Sequence, residues 1–179
     1  MKSQTVNRSL TASYSLVQSF YWINFSSAIA FSSVYLLDCG LTSAQIGMIM
    51  AASGITAAVV QPIVAAYADR PTAPSLKMIV AVTCFAALLM GIAVCAAHRR
   101  SPFLTGLLFG GCVAALQFLL PFINSLGTEM LNQGYSLNWG LSRGIGSIVY
   151  AAASCLLGIL GPRSGVIAIP VCIALGYGV

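Results

Sequence analysis

The sequence predicts an all-α, polytopic membrane protein, and three observations carry that prediction. The first is composition: 59% of the 179 residues are hydrophobic, 6% are charged, and the mean hydropathy is +0.93. A water-soluble domain carries about 25% charged residues, so this chain has too few polar groups to cover a folded surface in water. The second is recurrence. Apolar runs of about 20 residues, the length that crosses the hydrocarbon layer as a helix, follow one another along the chain. The third is that charged residues cluster at the ends of those runs, where a spanning helix meets water.

The elements follow in order. A first span is expected over residues 15–37, preceded by Lys2 and Arg8. It is not a signal peptide, because Asn24, Ser26 and Ser27 interrupt what would be a continuous apolar core. A second span covers 44–67 and closes on Asp69 and Arg70; a third covers 77–97 and closes on His98, Arg99 and Arg100. A fourth covers 102–126 with Glu129 beyond it, and a fifth covers 137–160, closing on Gly161, Pro162 and Arg163. A sixth run, 164–179, is too short to cross and reads as a helix cut off before its end. Lys2, Arg8, Arg70, Lys77 and Arg143 fall on one side, against Arg99, Arg100 and Arg163 on the other. That bias predicts a cytoplasmic N-terminus in a cell membrane.

Several function classes drop out. The formal charge of +5 is scattered singly rather than gathered in a stripe, so no nucleic-acid partner is expected. Six cysteines form no CxxC pair and His98 is the one histidine, so neither a metal site nor a disulfide framework is implied. Asp38, Asp69 and Glu129 all sit at span ends, leaving no carboxylate pair inside a span, and no phosphate-binding glycine loop occurs. No enzyme and no cofactor are predicted; the expected surroundings are the lipid bilayer and a small solute.

Polar side chains facing lipid are costly, so those inside spans should face protein or a cavity. In the fifth span Arg143, Ser147, Tyr150 and Ser154 follow at intervals of four, three and four, which places them on one face. Arg143 and Tyr150 are about 10 Å apart along the axis. A guanidinium fork below an aromatic ring suits a hydroxylated or anionic ligand. Gly140, Gly144, Ile148 and Ala151 form another face, where small residues would admit a neighbouring helix. Gln117, Pro121 and Asn124 share a face of the fourth span, with the proline expected to kink it. The first span aligns Asn24, Ser27, Phe31 and Tyr35, with Gln18 and Tyr21 before them; the second offers Ser53, Thr56 and Gln61 next to Pro62. Together they describe a polar lumen walled by helices. The competing reading of each hydroxyl or amide is interhelical adhesion, and that of Arg143 is an interfacial anchor reaching for headgroups.

Two stretches carry a family resemblance. Residues 41–70, LTSAQIGMIMAASGITAAVVQPIVAAYADR, resemble the second helix of major facilitator superfamily transporters, closest to the lactose-permease-like oligosaccharide:proton symporters. There a Gln-Pro precedes an acidic-basic pair, here Asp69 and Arg70. Residues 138–160, NWGLSRGIGSIVYAAASCLLGIL, resemble the fifth helix of that group. The resemblance implies that Arg143 binds sugar hydroxyls, that Tyr150 stands where the group places a ring-stacking tryptophan, and that Asp69 and Arg70 form a gating or structural loop.

It further implies two six-helix halves with the substrate between them. This chain would be the N-terminal half, with the proton-coupling residues in the C-terminal half, absent here. Three positions depart from the pattern: Ser125 replaces a carboxylate eighteen residues before Arg143, Ala65 replaces a glycine, and Lys77 stands alone for a basic cluster. The expected solute contacts are thus Arg143, Tyr150, Asn124, Gln117, Asn24 and Ser147. The expected function is proton-coupled transport of a sugar or similar hydroxylated solute by alternating access, in the full-length parent. The alternatives are a nucleoside or drug transporter, and a non-transporting membrane module such as a receptor or assembly subunit.

Overall fold

Helix starts in this protein are set by short polar side chains that satisfy the first free amides of each helix. Asn7, Thr42, Ser75, Ser101 and Asn138 each accept a hydrogen bond from the backbone N–H three residues on, at Leu10, Gln45, Met78, Leu104 and Leu141. Thr42 and Gln45 form a reciprocal capping box. The computed structural model describes residues 7–70, 72–98 and 100–177, the side chains of 162–164 excepted. Lys2, Arg99 and the side chain of Arg163, used above for topology, lie outside the described residues.

The chain runs α1 (Arg8–Phe25), a π-helical turn (Ser26–Ala30), α2 (Ser32–Asp38), α3 (Ser43–Ala68), α4 (Leu76–Ala97), α5 (Pro102–Asn132), α6 (Trp139–Ser164) and α7 (Ala168–Tyr177). Among the described residues there is no strand, and α3, α4, α5 and α6 are each long and apolar enough to cross a membrane. The bent pair made by Arg8–Ala30 and Ser32–Asp38, at 51°, raises the number to five. The protein is a multi-pass, all-α membrane protein.

The first span differs from its expected form in two ways. It starts at Arg8 rather than at residue 15, because Asn7 caps it there and Thr11 and Ser15 are buried against α6. It also breaks. Ser27 Oγ donates to the carbonyl of Ile23 at 3.0 Å and Ser32 Oγ to that of Ile29 at 2.9 Å, on either side of the widened turn. Hydroxyls that bond back to the preceding turn bend helices, and π turns loosen the same ladder. The fourth span runs on past residue 126 to Asn132, its end held by Gln133 Nε2 donating to Glu129 Oε1 at 3.1 Å. Both α3 and α5 continue through their internal prolines, Pro62 and Pro121.

α5 lies at the centre, touching α1, α2, α3 and α4, while α6 packs chiefly along α1, and α7 bridges α4 and α1. Glycines set the closest approaches. A Cβ at Gly110 would lie 2.9 Å from Ile49 on α3, one at Gly127 would lie 2.8 Å from the Tyr14 hydroxyl, and one at Gly91 would lie 3.3 Å from the Ala174 backbone. Gly140 and Gly144, expected to admit a neighbouring helix, are instead exposed, and a Cβ at Gly144 would meet nothing. The close approach on α6 is made at Gly146, which leaves no room for a Cβ beside the Trp22 indole.

At the end of the bundle opposite Arg8, Tyr35 is fully buried between two rings, with His98 at 5.6 Å and Phe109 at 5.4 Å. His98 Nδ1 lies 3.3 Å from the Tyr35 hydroxyl and 3.5 Å from Cys39 Sγ. The histidine that the sequence places beside an apparent loop thus ties the end of α4 to α2.

Candidate functional site: the two flanks of α6

The α1–α6 contact decides where the candidate residues point. Asn138, Ser142, Gly146, Tyr150 and Ser154 recur every fourth residue, the spacing of a helix-surface ridge. All five meet α1 or the π turn that follows it. Thr11 Oγ1 accepts from the Asn138 N–H at 3.3 Å, Ser15 Oγ donates to Ser142 Oγ at 2.9 Å, and Ser26 and Ser154 share a hydrogen bond at 2.9 Å. Between them Gly146 receives the Trp22 indole, and Tyr150 packs edge-on against Trp22 and Phe25, with centroids 6.0 and 6.2 Å apart. This is hydroxyl adhesion around an aromatic centre.

Residues beside this row fall on either flank. At about 100° per residue, Arg143 and Ser147 lie on one side of the contact and Leu141 and Ile145 on the other. Arg143 and Ser147 are exposed, and Ser147 Oγ donates to the Arg143 carbonyl at 3.3 Å. The Tyr14 hydroxyl of α1 donates to the Ile123 carbonyl of α5 at 3.1 Å and accepts from Gln18 Nε2 at 3.1 Å.

The predicted face divides accordingly. Arg143 and Ser147 are open, Tyr150 is half-buried with one edge held by Trp22, and Ser154 is bonded to Ser26 in the π turn. Asn124 is half-buried on α5, and its carbonyl accepts from Thr128 Oγ1 at 3.2 Å. Gln117 faces α3, where a Cβ at Gly54 would sit 3.5 Å from its amide oxygen. Asn24 is 2% exposed and abuts Gly176 of α7. Its Oδ1, the Tyr21 hydroxyl and the Trp22 and Trp139 indole nitrogens have no hydrogen-bond partner among the described residues. Asp69 and Arg70 are exposed at the end of α3; the Asp69 N–H closes the last turn on the Ala65 carbonyl, and Arg70 lies 5.8 Å from the Tyr67 ring centre. No group of three or more metal-ligating side chains occurs among the described residues.

Sequence reasoning missed the adhesive row and Tyr14. The signal for the row was present in the four-residue repeat from Asn138 to Ser154. Tyr14 carried none, because its role depends on Ile123 and Gly127, more than a hundred residues away.

The model of the MFS_1 like family matches residues 11–179, nearly the whole chain. The chain belongs to the MFS_1 like family, within the major facilitator superfamily. No curated protein and no solved structure matches it. Membership of this family points to membrane transport, and to a transporter rather than an enzyme.

Proposed function

We propose that this chain forms one wall of a proton-coupled transporter that moves a sugar or a similar hydroxylated solute by alternating access, from a cell membrane with the N-terminus in the cytoplasm. A second six-helix half would supply the opposite wall and the proton-coupling groups, as the resemblance of residues 41–70 and 138–160 to the lactose-permease-like symporters implies. The observation that carries the reading is the exposed Arg143 fork beside Ser147, two turns below Tyr150, on the flank of α6 opposite Leu141 and Ile145. Five rigid donors suit vicinal hydroxyls, and an aromatic edge suits the apolar face of a pyranose.

In this reading Arg143, Ser147, Tyr150 and Asn124 contact the solute. Asn24 and Gln117 stand behind them as packing residues, because α7 and α3 cover them. Asp69 and Arg70 work at the end of α3, outside the span, in gating or in fixing the turn. Ser125, which replaces the family carboxylate, leaves Arg143 without an acidic partner from α5 in that position and favours a neutral polyol or an anionic sugar over a galactoside clamp.

The test is Arg143→Lys in the full-length protein, reconstituted in vesicles and titrated with a panel of sugars and nucleosides. A lysine keeps the charge and loses the planar fork. Affinity for the transported solute should fall roughly ten- to hundredfold, the loss of one or two charged hydrogen bonds, while insertion is unchanged. Unaltered affinity would assign Arg143 to interfacial anchoring, and protection by nucleosides alone would reassign the solute.

A further inference from the structure

The flank of α6 opposite Arg143 carries a second feature, which is independent of the transported solute. Leu141 and Ile145 form one side of a groove of about 700 Å³, whose other side is Ala12, Leu16 and Ser19 of α1. Thr11, Ser15 and Asn138 form its floor, and Arg8 stands at its mouth as the one charged side chain of the lining. The hydroxyls are already committed: on the floor Thr11 Oγ1 accepts from the Asn138 N–H and Ser15 Oγ donates to Ser142 Oγ, and on the side Ser19 Oγ donates to the Ser15 carbonyl at 2.8 Å. The walls are apolar and open, with Leu16 59% and Leu141 52% exposed. Arg8 itself is exposed and makes no hydrogen bond or ion pair with another described residue.

Dimensions and charge together select an occupant. From Arg8 to Ser19 the groove follows α1 for about 16 Å, the depth of one leaflet of a bilayer whose core is about 30 Å thick. Its volume lies in the range of small-molecule sites, about 300–1,000 Å³. The mouth lies at a membrane edge, marked by the half-buried Trp139 and the exposed Tyr135, where aromatic side chains gather at headgroup level. There the chains entering α1 and α6 are joined by the Asn7 N–H donating to the Ser136 carbonyl at 3.0 Å. A free anion would find a cation at the mouth but only apolar walls below it.

We infer that this α1–α6 groove binds one anionic phospholipid, its headgroup phosphate on Arg8 and one acyl chain along Leu16, Leu141 and Ile145. The lipid would brace the outer flank of the seam whose inner flank carries Arg143.

The test is native mass spectrometry of the full chain released from nanodiscs of phosphatidylglycerol and phosphatidylcholine in a 1:4 mixture. One phosphatidylglycerol per chain should be retained in preference to phosphatidylcholine. Arg8→Gln, at an exposed position, should lower that preference about fivefold, the weight of one basic residue at an anionic surface. Ala12→Trp should fill the groove and remove retention of both lipids, whereas Arg100→Gln, at the other end of the bundle, should change neither. Equal retention of the two lipids, a preference that survives Arg8→Gln, or displacement of the lipid by millimolar inorganic phosphate would overturn the inference.

Discussion

Along α1 and the π turn that follows it, Thr11, Ser15, Gln18, Asn24, Ser26 and Ser27 are all at most 6% exposed, whereas along α6 Arg143 and Ser147 stand open. Both helices carry polar side chains spaced by three and four residues in an apolar run, and in the sequence they look alike. The difference lies in their neighbours. α1 is held from three sides by α5, α6 and α7, so most of its circumference is sealed. α6 is held mainly along the row from Asn138 to Ser154 that meets α1, which leaves a flank on either side of the row. Polar spacing in a membrane helix therefore identifies residues that share a face. Whether that face is glue or a cavity wall depends on how many helices surround it.

The contrast breaks first at the glycines. Gly146→Leu would drive a side chain into the Trp22 indole and should destabilise the bundle by about 1–3 kcal/mol, the usual range for overpacking. Gly144→Leu, two residues away on the open flank, should lie within about 0.5 kcal/mol of the parent. Unfolding titrations with a denaturing detergent would separate the pair, and equal shifts would mean that α6 does not pack through Gly146.

A smaller effect sharpens the same contrast at the hydroxyls. Ser142 is fully buried and bonded to Ser15, while Ser147 bonds only within its own helix. Ser142→Ala should cost about 0.6 kcal/mol, the average interhelical hydrogen bond measured within membranes. Ser147→Ala should leave stability unchanged in the same titration and instead weaken solute binding. A Ser147→Ala loss in stability equal to that of Ser142→Ala would remove the distinction between the flanks.

The membrane class and the positions of α3, α4 and α6 were legible in the sequence to within a few residues, because spanning length and charge placement are local properties. The break between α1 and α2 was half visible: Ser26 and Ser27 interrupted the apolar run, but their effect depends on which carbonyl each hydroxyl reaches. The extension of α5 was hidden, since Glu129 marks an exit from the membrane without ending the helix. At the site, the phase of Arg143 and Ser147 was readable from the spacing. The sealing of Asn24 by Gly176 and the turning of Gln117 toward Gly54 were not, because both depend on contacts with distant helices. The glycine pair at 140 and 144 shows the same limit, since a small-residue motif indicates where a helix could approach and Gly146 is where one does.

Residue accessibility tests the two-flank organisation most directly. Single cysteines at 141, 143, 147 and 148 of the full-length protein, with the native cysteines replaced by alanine, would be treated in vesicles with a membrane-impermeant maleimide, with and without solute. Cysteines at 143 and 147 should react and be protected by the transported solute, while those at 141 and 148 should remain unlabelled in lipid. Labelling at 141 with silence at 147 would contradict the assignment of the Arg143 flank to the solute pathway.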